Sequence, residues 1–64
     1  MKNLKTIFIT EDKQTEPIGL DRIPNISETV IIDKYRLSGR FKVYDIATFI
    51  QGVDITYFVY LKKP

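Results

Sequence analysis

The chain contains no cysteine and no histidine. The first absence excludes disulfides, and the two together exclude the usual zinc, iron–sulfur and haem ligand sets. Nucleophilic catalysis also loses its ordinary parts. Ser27 and Ser38 have no imidazole to deprotonate them, and there is no thiol. The glycines never cluster, so no phosphate-cradling loop occurs, and the acidic residues follow no calcium-loop spacing. Glu11, Asp12, Asp21, Asp33 and Asp45 could meet in space, but a core this small leaves little room for a pocket that excludes water. The expectation is a non-enzymatic protein with no cofactor and no metal.

Long apolar runs are missing as well. No stretch approaches the roughly 20 residues of a membrane span. Lys2 and Lys5 precede Ile7-Phe8-Ile9, as the start of an export signal would, but that run stops at Thr10-Glu11-Asp12. An export signal needs about 7–15 apolar residues. A cytoplasmic location without membrane contact is expected, and the lack of cysteine is consistent with it. The net charge of +2 supports solubility and is too small to indicate nucleic-acid binding by itself.

What is present is small and rich in β-formers. Sixty-four residues are expected to form a single domain, 1–64. A chain of that size buries only about 60% of the surface its unfolded form exposes. With neither disulfide nor metal, association with itself or with a target is the remaining support.

Residues 4–10 hold Thr6, Ile7, Phe8 and Ile9 and read as a first strand, with Leu4, Thr6 and Phe8 on one face and Lys5, Ile7 and Ile9 on the other. Residues 11–22 are polar and contain Pro17 and Gly19. They read as a long connection with a possible short strand or turn within 16–22. A short helical turn is the alternative, and Pro17 argues against anything longer. A loop of this length is either a plain surface segment or one folded over an edge for a purpose. Ile23 to Glu28 approaches the next strand, Pro24 holding Ile23 extended and Asn25 and Ser27 supplying turn chemistry. That strand, 29–33, has Val30-Ile31-Ile32 in succession, which suggests burial on both faces and hence a central strand or barrel wall.

Ser38-Gly39 reads as a turn. Around it Lys34, Arg36 and Arg40 gather positive charge beside Tyr35. This is either a solvated hairpin tip or a loop that meets an anion or a phosphate backbone.

The remainder, 40–50 and 54–62, reads as a hairpin. Gly52 suits the first central position of a type II′ turn, which needs positive φ. Taking Gly52-Val53 as the turn pairs Gln51 with Asp54, Ile50 with Ile55, Thr48 with Tyr57, Ile46 with Val59 and Tyr44 with Leu61. Alternation then places Ile50 to Tyr44 and their partners on one uncharged face, the expected core face. The other face carries Phe49 with Thr56, Ala47 with Phe58, Asp45 with Tyr60 and Val43 with Lys62. A turn centred on Gln51-Gly52 would slide this register. Asp45 interrupts the series Phe41, Val43, Ala47, Phe49 and invites a β-bulge nearby, which small barrels use to bend. Phe49, Phe58 and Tyr60 do not belong on a purely solvated face. Either another part of the chain covers them or they form an interface.

From Pro24 to Leu61 the chain resembles small orphan β-barrel proteins of phages and mobile elements. The residues carrying the resemblance are Pro24, Ile26, Val30, Ile32, Asp33, Phe41, Val43, Val59 and Leu61. Ser27 stands where those chains have Gly, and Tyr35 to Arg40 is longer than their turn. The resemblance implies an accessory protein acting in the host cytoplasm on a host or phage macromolecule, for instance as an inhibitor. It assigns no binding residue.

The expected architecture is mostly β: a small antiparallel barrel or strongly curved sheet of four to five strands, of the Src-homology kind. The expected function is protein binding, to a partner or to itself as a dimer or larger oligomer. Its surface would be Phe49, Phe58 and Tyr60, joined by Tyr35, Arg36 and Arg40. A nucleic-acid-binding barrel is the second reading, since Tyr35, Phe41, Tyr44, Phe58 and Tyr60 lie among Arg36, Arg40, Lys42, Lys62 and Lys63. Lys62 and Lys63 also suit a solvated guard on an edge strand.

Overall fold

A computed structural model describes residues 3–34 and 36–64. The β-branched and aromatic runs form β1 (Leu4–Ile9), β2 (Ile18–Leu20), β3 (Thr29–Lys34), β4 (Leu37–Gln51) and β5 (Asp54–Lys62). The fold is mostly β, and no helix among the described residues is long and apolar enough to cross a membrane. One sheet, in the order β2-β1-β5-β4-β3, curls into a half-barrel. All neighbours are antiparallel except β1 and β5, which run parallel, so the sheet is mixed.

The polar stretch after β1 folds back along that strand. Thr10 N–H donates to Lys13 O at 2.8 Å and closes a turn. Thr15 N–H then donates to Phe8 O at 2.9 Å, and Thr15 Oγ1 accepts Phe8 N–H at 3.1 Å. The hydroxyl of a buried threonine thus continues the ladder and gives the Phe8 amide its partner. β2 follows in the register Leu4↔Leu20 to Thr6↔Ile18 and covers the β1 edge.

Phe8, Ile32, Leu37, Phe41, Val43, Val59 and Leu61 form the core on the inner face, with Ile18, Leu20, Ile23, Val30 and Ile46 packed around them. Thr6 and Phe8 point inward as alternation requires. β3 departs from expectation. It is an edge strand, so Ile32 is buried while Ile31, on the outer face, is 77% exposed. A run of apolar β-branched residues is not by itself evidence of two covered faces.

Ser38-Gly39 is not the turn. Lys34 pairs with Leu37, and Ser38 and Gly39 lie inside β4 opposite Asp33 and Ile32. Gly39 has φ +132°, a conformation side chains avoid, and the Phe41 ring lies 3.6 Å from where a Cβ would be. The ring covers the gap that a glycine leaves in a strand.

The β4–β5 hairpin follows the expected register from Gln51↔Asp54 to Asp45↔Tyr60. Gly52 has φ +63° and Val53 does not have positive φ, as type II′ demands. Tyr44 is then an extra residue. Val43, not Tyr44, pairs with Leu61, and Lys42 pairs with Lys62. The bulge is stabilised locally by Ile46 N–H donating to Asp45 Oδ1 at 2.9 Å. One inserted residue exchanges the faces of everything before it. Val43 and Phe41 enter the core, and Tyr44 leaves it.

The turn before β3 clasps β4 at this point. Glu28 N–H donates to Asn25 O, Ser27 N–H donates to Val43 O at 2.8 Å, and Val43 N–H donates to Glu28 O at 3.0 Å. Ser27 takes φ +75°, the left-handed conformation that glycine adopts more easily. Arg22 braces the turn with two hydrogen bonds to Glu28, at 3.1 and 2.7 Å, and Asn25 N–H donates to the same carboxylate at 2.9 Å. The Arg22 guanidinium, and after it the Asn25 amide, lower the Glu28 carboxyl from its ordinary 4.5 to about 2. A carboxylate with a depressed folded-state pKa contributes stability above 4.5 that is lost as pH falls towards 2. The pair is exposed to solvent, so the effect is small and screened by salt. Urea unfolding midpoints across the acid range should therefore fall less steeply for Glu28→Gln than for the wild type, the two curves converging near pH 2. Parallel curves would show that the clasp does not depend on this charge.

Candidate outer-face interface

Two families of side chains leave β4–β5. The inner ones, from Val59 and Leu61 to Ile46, supply core. The outer ones form rows across the sheet, because paired residues share a face. Ile7, Phe58 and Ala47 make one row, and Ile9, Tyr60 and Asp45 the next. Phe49 packs edge-on against Phe58 at 6.2 Å between centroids. Tyr60 meets Tyr44 at 6.3 Å, tilted by 52°. These are the preferred geometries of aromatic pairs. Lys62 Nζ stands 5.9 Å over the Tyr44 ring, within cation–π reach.

Of the residues expected at a site, the structure brings Phe49, Phe58 and Tyr60 together on this face. Arg40 is on the outer side of β4 ahead of the bulge, in strand and not in a loop. Arg36 stands just before β4, at the opposite end of that strand from Phe49. Tyr35 lies outside the described residues. β1 does not fold over the aromatic face. It joins the sheet beside β5 and extends the same face with Ile7 and Ile9, both half-buried.

Three features were not read from the sequence as part of this surface. Uninterrupted alternation places Tyr44 on the core face, and the bulge turns it outward. Ile7 and Ile9 required knowing that β1 neighbours β5. The third is the hairpin end. β3 pairs with β4 only as far as Lys42, and β1 pairs with β5 only from Tyr57 to Tyr60. Beyond those points the hairpin projects as a two-stranded ribbon. Ile50 and Ile55, expected in the core, are therefore 66% and 44% exposed, and Val53 at the tip is 97% exposed.

Charge is distributed unevenly around this surface. Lys42 and Lys62 face each other directly across β4 and β5, an unfavourable like-charge pair unless an anion approaches. A shallow groove between Thr10–Lys13 and Lys62–Lys63 also touches Arg36, but it mixes Glu11 and Asp12 with its cations. Compared with protein-family models, curated proteins and solved structures, the chain matches none.

The outer aromatics differ from the core in what they do for folding. Phe49 is 49% exposed, whereas Phe8 is buried. Phe8→Ala should destabilise by about 3–5 kcal/mol, enough to unfold much of a small domain. Phe49→Ala should cost under about 1 kcal/mol. Chemical denaturation of both variants measures this. Comparable losses would make Phe49 a structural residue and not a free surface.

Proposed function

We propose that the protein is a non-enzymatic binding module that holds a protein partner against the outer face of β1, β5 and β4. The observation that carries this reading is the aromatic and aliphatic band Ile7, Phe58, Phe49, Tyr60 and Tyr44, over which no other strand of the described chain packs, Phe49 and Tyr44 being about half exposed and the other three partly buried. Aromatic side chains on a rigid sheet make strong contact anchors, because little side-chain freedom remains to be lost on binding. Arg40 and Lys42 border the band and would select a partner with an acidic margin. The resemblance to phage orphan barrels makes an accessory role natural, with inhibition of the bound protein as its outcome.

One observation favours a second reading, binding of single-stranded nucleic acid. Lys42 and Lys62 oppose each other beside the Tyr44 and Tyr60 rings, and cations next to aromatic platforms on a sheet are what such binding uses. The band continues past these lysines to Phe49, Phe58 and Ile7, which favours a protein.

Affinity capture from a bacterial lysate, with and without nuclease, tests both readings. Phe58→Ala should weaken partner recovery by about tenfold or more, as loss of a central anchor does, and Arg36→Ala should change it by less than about threefold. Nuclease should leave recovery unchanged. Equal recovery by wild type and both variants would put the binding surface elsewhere, and loss on nuclease treatment would favour nucleic acid.

A further inference from the structure

The projecting part of β4 has a free backbone edge. Gln51↔Asp54 closes the two-residue turn, so Gln51, Phe49, Ala47 and Asp45 direct their backbone groups at β5. Ile46, Thr48 and Ile50 direct theirs the other way. On that side β3 stops at Lys42, and the Asn25–Glu28 turn takes only Val43. Among the described residues no other backbone reaches Thr48 or Ile50, and the Ile46 N–H is met by Asp45 alone. Sheet edges are ordinarily guarded by charge, proline or short length. β3 carries Asp33 and Lys34, and β2 is short and follows Pro17. Ile46-Ala47-Thr48-Phe49-Ile50-Gln51 has no charge, no proline and no glycine, the composition of a segment that pairs with another strand.

We propose that this edge pairs antiparallel with the same edge of a second copy of the chain, about a two-fold axis at Thr48. The segment is symmetric in length and in chemistry. The bulge at Tyr44 and the turn at Gly52 are equidistant from Thr48, so the free edges overlap fully only when Thr48 faces Thr48 of the second copy. That register sets Ile46 against Ile50, Ala47 against Phe49, and Asp45 against Gln51. Each is a matched pair: aliphatic with aliphatic, small with large, carboxylate with carboxamide donor. Centring on Ala47 would set the Asp45 carboxylate against Phe49. Centring on Phe49 would leave Ile46 opposite the turn. In the Thr48 register the Thr48 amides and carbonyls and the Ile50 amide gain partners, and the Ile50 carbonyl takes the Ile46 N–H in exchange for its bond to Asp45. The exposed Val53 of one copy also arrives at the Asn25–Glu28 turn of the other, where Ile26 is exposed. This contact uses an edge and not the outer face, so it stands or falls separately from partner capture by that face.

The absence of cysteine makes the register directly testable. In a pair on the axis the Cα atoms lie about 5.5 Å apart, within the roughly 4.4–6.8 Å that a disulfide spans. Thr48→Cys should therefore give a covalent dimer under mild oxidation. Gln51→Cys would hold its two thiols about 20 Å apart and should remain single chains. Both positions are exposed, so folding should survive, as circular dichroism will report. Sedimentation equilibrium of the wild type should show a concentration-dependent dimer, and Thr48→Lys should raise its dissociation constant on the order of tenfold. A wild type that stays monomeric overturns the proposal. So does a dimer insensitive to Thr48→Lys, or cross-linking that is equal at the two positions.

Discussion

The extra residue at Tyr44 is the constraint on which the rest of this structure depends. β4 is long enough to serve two purposes, and the bulge separates them. Before it, Leu37, Phe41 and Val43 face inward and pair with β3 and β5. After it, Ile46 faces inward and the strand continues into the hairpin. Without the inserted residue, one of these halves would turn its apolar side to water, since side chains alternate with a strict period of two. The clasp from Ser27 and Glu28 falls on Val43, so the sheet is tied at the bend itself. A bulge also increases local twist, and that is how a single sheet of this size curls enough to enclose a core.

The same bend determines what is left uncovered. β3 and β1 both end their pairing short of the hairpin tip, and the ribbon beyond them has apolar residues on both faces. Small domains without disulfides or metals carry little spare stability, so an isolated ribbon with Phe49, Ile50, Val53 and Ile55 in solvent is a costly feature to retain. Two separate surfaces result: an aromatic band on the outer face and an unguarded backbone edge beside it.

Much of this was legible in the sequence. Gly52 located the turn, and counting back from it produced the correct register through Asp45 because hairpin pairing is local. Alternation then placed Phe49, Phe58 and Tyr60 on the outer face. Asp45 signalled a bulge, but alternation cannot say which residue is extra, and so Tyr44 and Val43 were assigned to each other's faces. Other errors have non-local causes. Ile31 looked buried because three apolar residues in succession do not reveal that a strand lies at an edge. Ile50 and Ile55 looked like core because their exposure depends on where β1 and β3 stop. Gly39 looked like a turn because the Phe41 ring that supports it in a strand is a packing feature. Ile7 and Ile9 share the outer face only through the parallel pairing of β1 with β5, which no local pattern encodes.

The bulge can be tested directly by proton NMR of the hairpin. Val43 spends its backbone hydrogen bonds on Ser27 and Glu28, so its pairing with Leu61 is of the non-hydrogen-bonded kind. In such a pair the Cα atoms approach to about 4.5 Å and the two α protons face each other. A strong α-proton cross-peak between Val43 and Leu61 is the expected result. A cross-peak between Tyr44 and Leu61 in its place would mean an uninterrupted register, returning Tyr44 to the core face and contradicting the account of both surfaces.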